Sequence, residues 1–351
     1  MGPLIVFIFI GYALLIKDEI FGLYSMTINT RRGRFIYFFL CTVLSILVGF
    51  REVDIGSDTI RYYKKFLDLS YDKYFDYGEV GSYLLMHIAY ELNNPQIFFI
   101  ITAFIVVFLY MYAMSVYSYK NSISWGYMLF LSSTIGLSSI VSIERQVLAC
   151  AVVLLGTKYL IERKFVKWIV TIIIAASFHI SSFFLIILYP ITARRFKYKY
   201  IALVTLMLFL ISNFSVRYIV EMFPHYETYI TLYVDDGHGE KQLIMYICLL
   251  LLFAFNYMKY KTDIKYNIYF KIYIVGMALL VCSFPWLGIA ISVRLAYVFL
   301  CYMFVLISYC MDVRNKYIRC MFKIAMTVIL SILYLYTMDI SKMIPYELYL
   351  Y

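Results

Sequence analysis

An all-α, polytopic membrane protein is the fold class this sequence predicts, and three observations predict it. Of 351 residues, 64% are hydrophobic and only 15% are charged. Apolar runs approaching or reaching a bilayer's thickness recur from end to end, and no polar stretch is long enough for a separate soluble domain. In lipid, short of a closed barrel, only helices satisfy their own backbone donors and acceptors. The expectation is one integral membrane domain over residues 1–351 with about twelve transmembrane segments, some short or broken. They fall at 3–16, 35–50, 96–117, 124–141, 147–161, 168–178, 180–191, 200–214, 241–258, 267–284, 288–310 and 320–338.

The first run, Pro3 to Ile16, has no basic leader and no small-residue cleavage site, so it reads as a retained span. Basic residues then orient the chain. Arg31, Arg32 and Arg34, the loop at 162–167, Arg194 to Lys199, the loop at 259–271 and Arg314 to Lys323 all belong to one side. That side collects 21 of the 31 Lys and Arg but only five of the 21 Asp and Glu. Excess positive charge marks the cytoplasmic side, which puts both termini outside. The net charge of +10 therefore reads as topology and contact with anionic lipid, and no nucleic-acid partner is expected.

Two segments must bend for this orientation to hold. Residues 81–93 are too short to cross, so they read as a re-entrant or surface helix, with Asn93-Asn94-Pro95 opening the next span. Residues 168–191 leave one basic loop and return to another, which requires two short helices meeting near His179. Irregular backbone at that depth is tolerated where it faces protein or a water-filled cavity. His179 is accordingly expected at the floor of an outward-facing cavity, with the outer loops 51–95 and 215–240 contributing to its walls.

The densest polar stretch follows the second span, in Gly49-Phe50-Arg51-Glu52-Val53-Asp54-Ile55-Gly56-Ser57-Asp58-Thr59. Gly56 and Ser57 argue for a loop, with Ser57 or Asp58 capping a helix that starts near Thr59. Arg51, Arg145 and Arg294 all fall toward the same outer side. Arginine close to hydrocarbon is expensive and usually has a partner or lines a functional cavity. Its planar fork also suits phosphate, so the three together could hold a pyrophosphate. The structural alternative is that each pairs with a carboxylate such as Glu144 or Asp54. His179, flanked by Ala175, Ala176, Ser177, Ser181 and Ser182, reads either as a core histidine satisfied by a serine or as a base toward a sugar hydroxyl.

Seven cysteines lie almost entirely in apolar runs, match no zinc or redox spacing, and read as packing residues. No nucleotide-binding glycine loop, metal-ligand cluster or nucleophile elbow is present. Chemistry at such a site must use a substrate that arrives already activated. No cofactor and no metal are assigned.

The chain resembles the EpsG family of bacterial membrane proteins, which includes Wzy-type O-antigen and exopolysaccharide polymerases. The resemblance runs through Phe50-Arg51, Gly56-Ser57-Asp58-Thr59 with Tyr63 and Phe66, Arg145-Gln146 with Ala149, Phe178-His179 with Ser181, Arg294 with Tyr297 and Phe299, and Pro345-Tyr346. It implies a GT-C-like helical transferase in the cytoplasmic (inner) membrane. Its substrates would be undecaprenyl-diphosphate-linked oligosaccharides, as donor and acceptor, with a chain-length regulator as a candidate partner. On that footing Arg51, Arg145 and Arg294 would hold the diphosphate, and His179 or Asp58 would take the acceptor proton. Tyr226, Tyr229 and Tyr346 would stack on sugar rings or close the cavity. Two other classes compete: a flippase of the same lipid-linked units, and a membrane acyltransferase modifying surface glycans.

Overall fold

The computed structural model describes residues 31–56, 58–67, 79–119, 129–131, 133–193, 196–203, 239–313 and 315–338, together with isolated positions at 13, 17, 125, 205 and 207. The described residues divide into two compact units. One draws on 1–158, 166–186 and 311–351, the other on 159–165 and 187–310. Each is helical, and no strand occurs among the described residues.

In the first unit, α1 (Arg31–Gly49) is an apolar helix that packs along α4. The loop after it turns into α2 (Thr59–Leu67), a short helix that buries Thr59, Tyr62 and Phe66 and exposes Arg61 and Lys64. The helix starts where the Gly-Ser-Asp signal predicts, with the Tyr62 N–H donating to the Asp58 carbonyl at 3.1 Å. Helix α3 (Val80–Glu91) is the expected short element, and α4 (Pro95–Tyr117) follows it. The Asn94 side chain accepts the Gln96 N–H at 2.9 Å, and Pro95 occupies the first turn, where its missing N–H costs nothing. Tyr62 and Phe66 of α2 share one apolar cluster with Met86 and Ala89 of α3 and Phe98 and Phe99 of α4. This packing fixes α2 against the helices that flank it.

The expected span 124–141 is broken. A π-helical turn at Thr134–Ser138 and a single α-turn at Ser139–Ser142 lead to Ile143, and then α5 (Glu144–Ile161) begins. Helix α6 (Phe165–Phe178) ends at His179, and a 3-10 segment, Ile180–Ile187, runs on into one α-turn at Leu188–Ile191. The break at His179 lies where the charge pattern requires it.

In the second unit, α7 (Gly239–Tyr260) packs on α8 (Ile264–Leu300), and α9 (Met303–Cys310) follows. Asp263 caps α8 by accepting the N–H groups of Lys265 and Tyr266. Pro285 and Gly288 (φ 67°) kink α8, matching the boundary expected between 284 and 288. Proline cannot supply an interior helix bond, and glycine alone takes a positive φ without strain. The chain then returns to the first unit as α10 (Lys316–Met338), which touches the π-turn.

Among the described residues, three helices are long and apolar enough to cross a bilayer: Pro95–Tyr117, Glu240–Tyr260 and Ile264–Pro285. A fourth crossing is formed if the bent pair Leu287–Leu300 and Met303–Cys310, at 61°, counts as one. Shorter apolar helices lie at Gly33–Gly49, Phe165–Phe178 and Ile180–Ile191. The described residues thus show three to four of the twelve expected spans by length and composition, and most of 3–16 and 200–214 lies outside them. Large apolar side chains such as Phe255 (82% exposed) and Phe184 (80%) point outward, as a membrane protein in lipid requires. Of the seven cysteines, none in a disulfide, five are buried.

Candidate functional site

Two consecutive residues, Glu144 and Arg145, open α5 and look in different directions chemically. Glu144 pairs with Arg51, and the two side chains are 1% and 0% exposed. Arg51 also donates to the Val48 carbonyl at 2.8 Å and to Thr59 Oγ1 at 3.2 Å, and its guanidinium lies 4.5 Å from the centre of the Phe99 ring. Thr59 Oγ1 in turn donates to the Ile55 carbonyl at 2.6 Å. Gly56 makes this junction possible: its φ is 93°, and a Cβ there would stand 2.3 Å from the Val141 carbonyl oxygen. Of the two readings open for Arg51, the carboxylate pair with Glu144 is the arrangement observed.

Arg145 enters a different setting. Its side chain is 18% exposed and forms an ion pair with Glu79, which is 5% exposed. Its Nε donates to the Tyr62 hydroxyl at 3.2 Å, and its guanidinium lies 5.3 Å from the Tyr62 ring centre. The other oxygen of Glu79 faces Nδ1 of His179 at 3.1 Å and accepts the Ile180 N–H at 3.1 Å. One buried carboxylate therefore joins the arginine of α5 to the histidine at the α6 break.

The break itself explains why these residues meet. Interrupting a helix at His179 leaves backbone groups without intrahelical partners. Glu79 accepts from the N–H of Ile180, and Ser82 donates to the carbonyl of Phe178 at 2.8 Å. Both come from the start of α3, where Gly81 permits the approach: a Cβ there would meet Ser177 Oγ at 2.7 Å and the Phe178 ring at 2.8 Å. Residue 79, at the N-cap of α3, makes no capping bond to its own helix. It caps the neighbouring segment instead.

Electrostatics follow from this geometry. Burial pushes the Glu79 carboxyl up, but the His179 hydrogen bond, the Arg145 charge and the Ile180 N–H outweigh it, so the group sits below its ordinary value of 4.5. Burial raises the Tyr62 phenol, against the pull of Arg145. Lys65 is pushed down to about 8 by burial and then by the charges of Arg145 and Arg61. Asp58, half-buried, lies within electrostatic reach of both Tyr62 and Lys65.

The structure thus brings Asp58, Arg145 and His179 into one neighbourhood, with Arg51 beside it through Glu144. Arg294 lies in the second unit, half-buried, in the part of α8 beyond the kink. Tyr226, Tyr229 and Tyr346 lie outside the described residues. Glu79 and Tyr62 are the site residues that sequence reasoning missed. Among the described residues, no group of three or more His, Cys, Asp or Glu is placed to hold a metal ion.

A family model described as the EpsG family matches residues 34–348. No curated protein and no solved structure matches the chain.

Proposed function

The chain belongs to the EpsG family, and from that premise we propose that it polymerises lipid-linked oligosaccharide repeat units at the outer face of the cytoplasmic membrane. Family membership by itself points to polysaccharide polymerisation in general. The finer reading is our own. A glycan carried on undecaprenyl diphosphate is transferred to the terminal sugar of a second undecaprenyl-diphosphate-linked repeat unit. The bond from the sugar's anomeric carbon to the donor diphosphate breaks, and the acceptor hydroxyl oxygen takes its place. The hydroxyl proton goes to a base, and undecaprenyl diphosphate departs with the bonding electrons.

One observation carries this reading: Glu79 joins Arg145 to His179 at a helix break, partly open to solvent. An arginine suited to a departing diphosphate and a histidine suited to an acceptor proton are held by the same carboxylate. His179 is assigned as base, with Asp58 as the other candidate. Arg145 and Arg294 are assigned to the diphosphate, and Lys65 adds positive charge beside Arg145. We assign Arg51 a positioning role toward Glu144 and the Gly56 loop, because its side chain is fully buried. Tyr226, Tyr229 and Tyr346 remain assigned to the sugars. The twelve-span topology with both termini outside, the GT-C-like arrangement and a chain-length regulator as partner belong to the same proposal.

Deleting the gene in its host and resolving the surface glycan by gel tests it. Glycan cut to a single repeat unit, with a ladder restored by the plasmid-borne wild-type gene, supports polymerisation. Complete loss of surface glycan would mean a flippase instead, and full-length glycan with altered acylation would mean an acyltransferase.

A further inference from the structure

Glu79 meets three donors while only 5% exposed. A buried carboxylate is costly, and an uncharged acceptor would serve the Ile180 N–H equally well. What a carboxylate adds is charge, and both side chains that it faces are assigned to the transfer step. When Nδ1–H of His179 is donated to Glu79, the neutral ring carries its lone pair on Nε2. Among the described residues, Nε2 has no hydrogen-bond partner.

We infer that Glu79 is a positioning residue for polymerisation, fixing His179 in the Nδ1–H tautomer and stabilising the imidazolium that forms when Nε2 takes the acceptor proton. The inference rests on the proposed function in taking His179 as the base. Glu79 stays ionised throughout: the proton passes from the acceptor hydroxyl to Nε2 and afterwards to water.

The other charged groups around the pair sharpen the expectation. Arg145 holds the second carboxylate oxygen; Asp58 lies within electrostatic reach of Tyr62, and Lys65 within reach of Arg145, Arg61, Glu79 and Asp58. Arg145 draws negative charge from Glu79, weakening its hold on the imidazole.

The test follows the imidazoles of the full chain by NMR in nanodiscs, wild type against Glu79→Gln, with kcat and KM for polymerisation of a lipid-linked repeat unit. Four histidines are present, and a His179→Gln variant assigns the signal. The wild type should show the Nδ1–H tautomer. In Glu79→Gln the preference for that tautomer should vanish. There kcat should fall about 100-fold with KM little changed. Partial recovery by Glu79→Asp would support the assignment. A tautomer indifferent to Glu79→Gln, or a kcat unchanged by it, would overturn it. Wild-type protein that links no repeat units would overturn the polymerase reading instead, and the NMR arm alone would then decide whether Glu79 sets the imidazole.

Discussion

Arg51 and Arg145 each pair with a glutamate in the same unit of one chain, yet their surroundings make them different instruments. Arg51 and Glu144 are sealed, and the arginine's remaining bonds go to Thr59 and backbone carbonyls. Arg145 keeps 18% of its side chain exposed and shares its carboxylate with a histidine and a helix break. A sealed pair has traded its solvation for fixed partners, so its effect is on where the chain goes. A shared, half-open pair can exchange a partner for a ligand. Burial, more than residue type, separates the two arginines.

The comparison is broken most forcefully at Arg51. Arg51→Ala strands Glu144 as a lone buried charge and should cost about 3–5 kcal/mol, seen as a large drop in melting temperature and in membrane protein level. Replacing both partners together, with Arg51→Met and Glu144→Leu, should recover most of that loss. If Arg51→Ala melted like the wild type, the sealed pair would not be structural.

Acid acts on the other pair. The Glu79 carboxyl lies below its ordinary value of 4.5 in the folded chain, so the unfolded chain binds a proton more readily. Its contribution to stability is complete above the ordinary value and disappears as pH falls through the lowered one. Melting curves of wild type and Glu79→Gln should therefore converge under acid and separate above about pH 5. A constant difference at every pH would remove the ionised carboxylate from the account.

The mildest change sharpens the contrast without breaking it. Tyr62→Phe deletes the hydroxyl that accepts from Arg145 and should cost about 0.5–1.5 kcal/mol, with a several-fold loss of polymer and no change of fold. Loss of the protein from the membrane would show that Tyr62 serves packing alone.

Much of the frame is legible in the sequence because its signals are local or compositional. Asn94-Pro95 announces the start of α4, Pro285 with Gly288 announces the kink in α8, and the distribution of basic residues leads one to expect the observed break at His179. The pairing of Arg51 with Glu144 can be weighed beforehand but not decided, since burial depends on how Phe99, Thr59 and Val48 close around it. Glu79 stays hidden for a different reason. It ends the polar stretch Tyr71 to Gly78 and looks like one more solvated charge ahead of an apolar helix. Its partners lie 66 and 100 residues away, and no periodicity links such distances. A signal does exist: glutamate at the N-cap of α3, where Ser, Thr, Asp or Asn is preferred, is out of place for its own helix.

The most direct test of the account compares Arg145→Ala with wild type in the deletion strain, reading glycan length by gel and folded membrane protein in parallel. The expected result is normal protein bearing only single-repeat glycan, a loss of at least about 100-fold in chain extension. A full ladder from Arg145→Ala would contradict the assignment of Arg145 to the departing diphosphate.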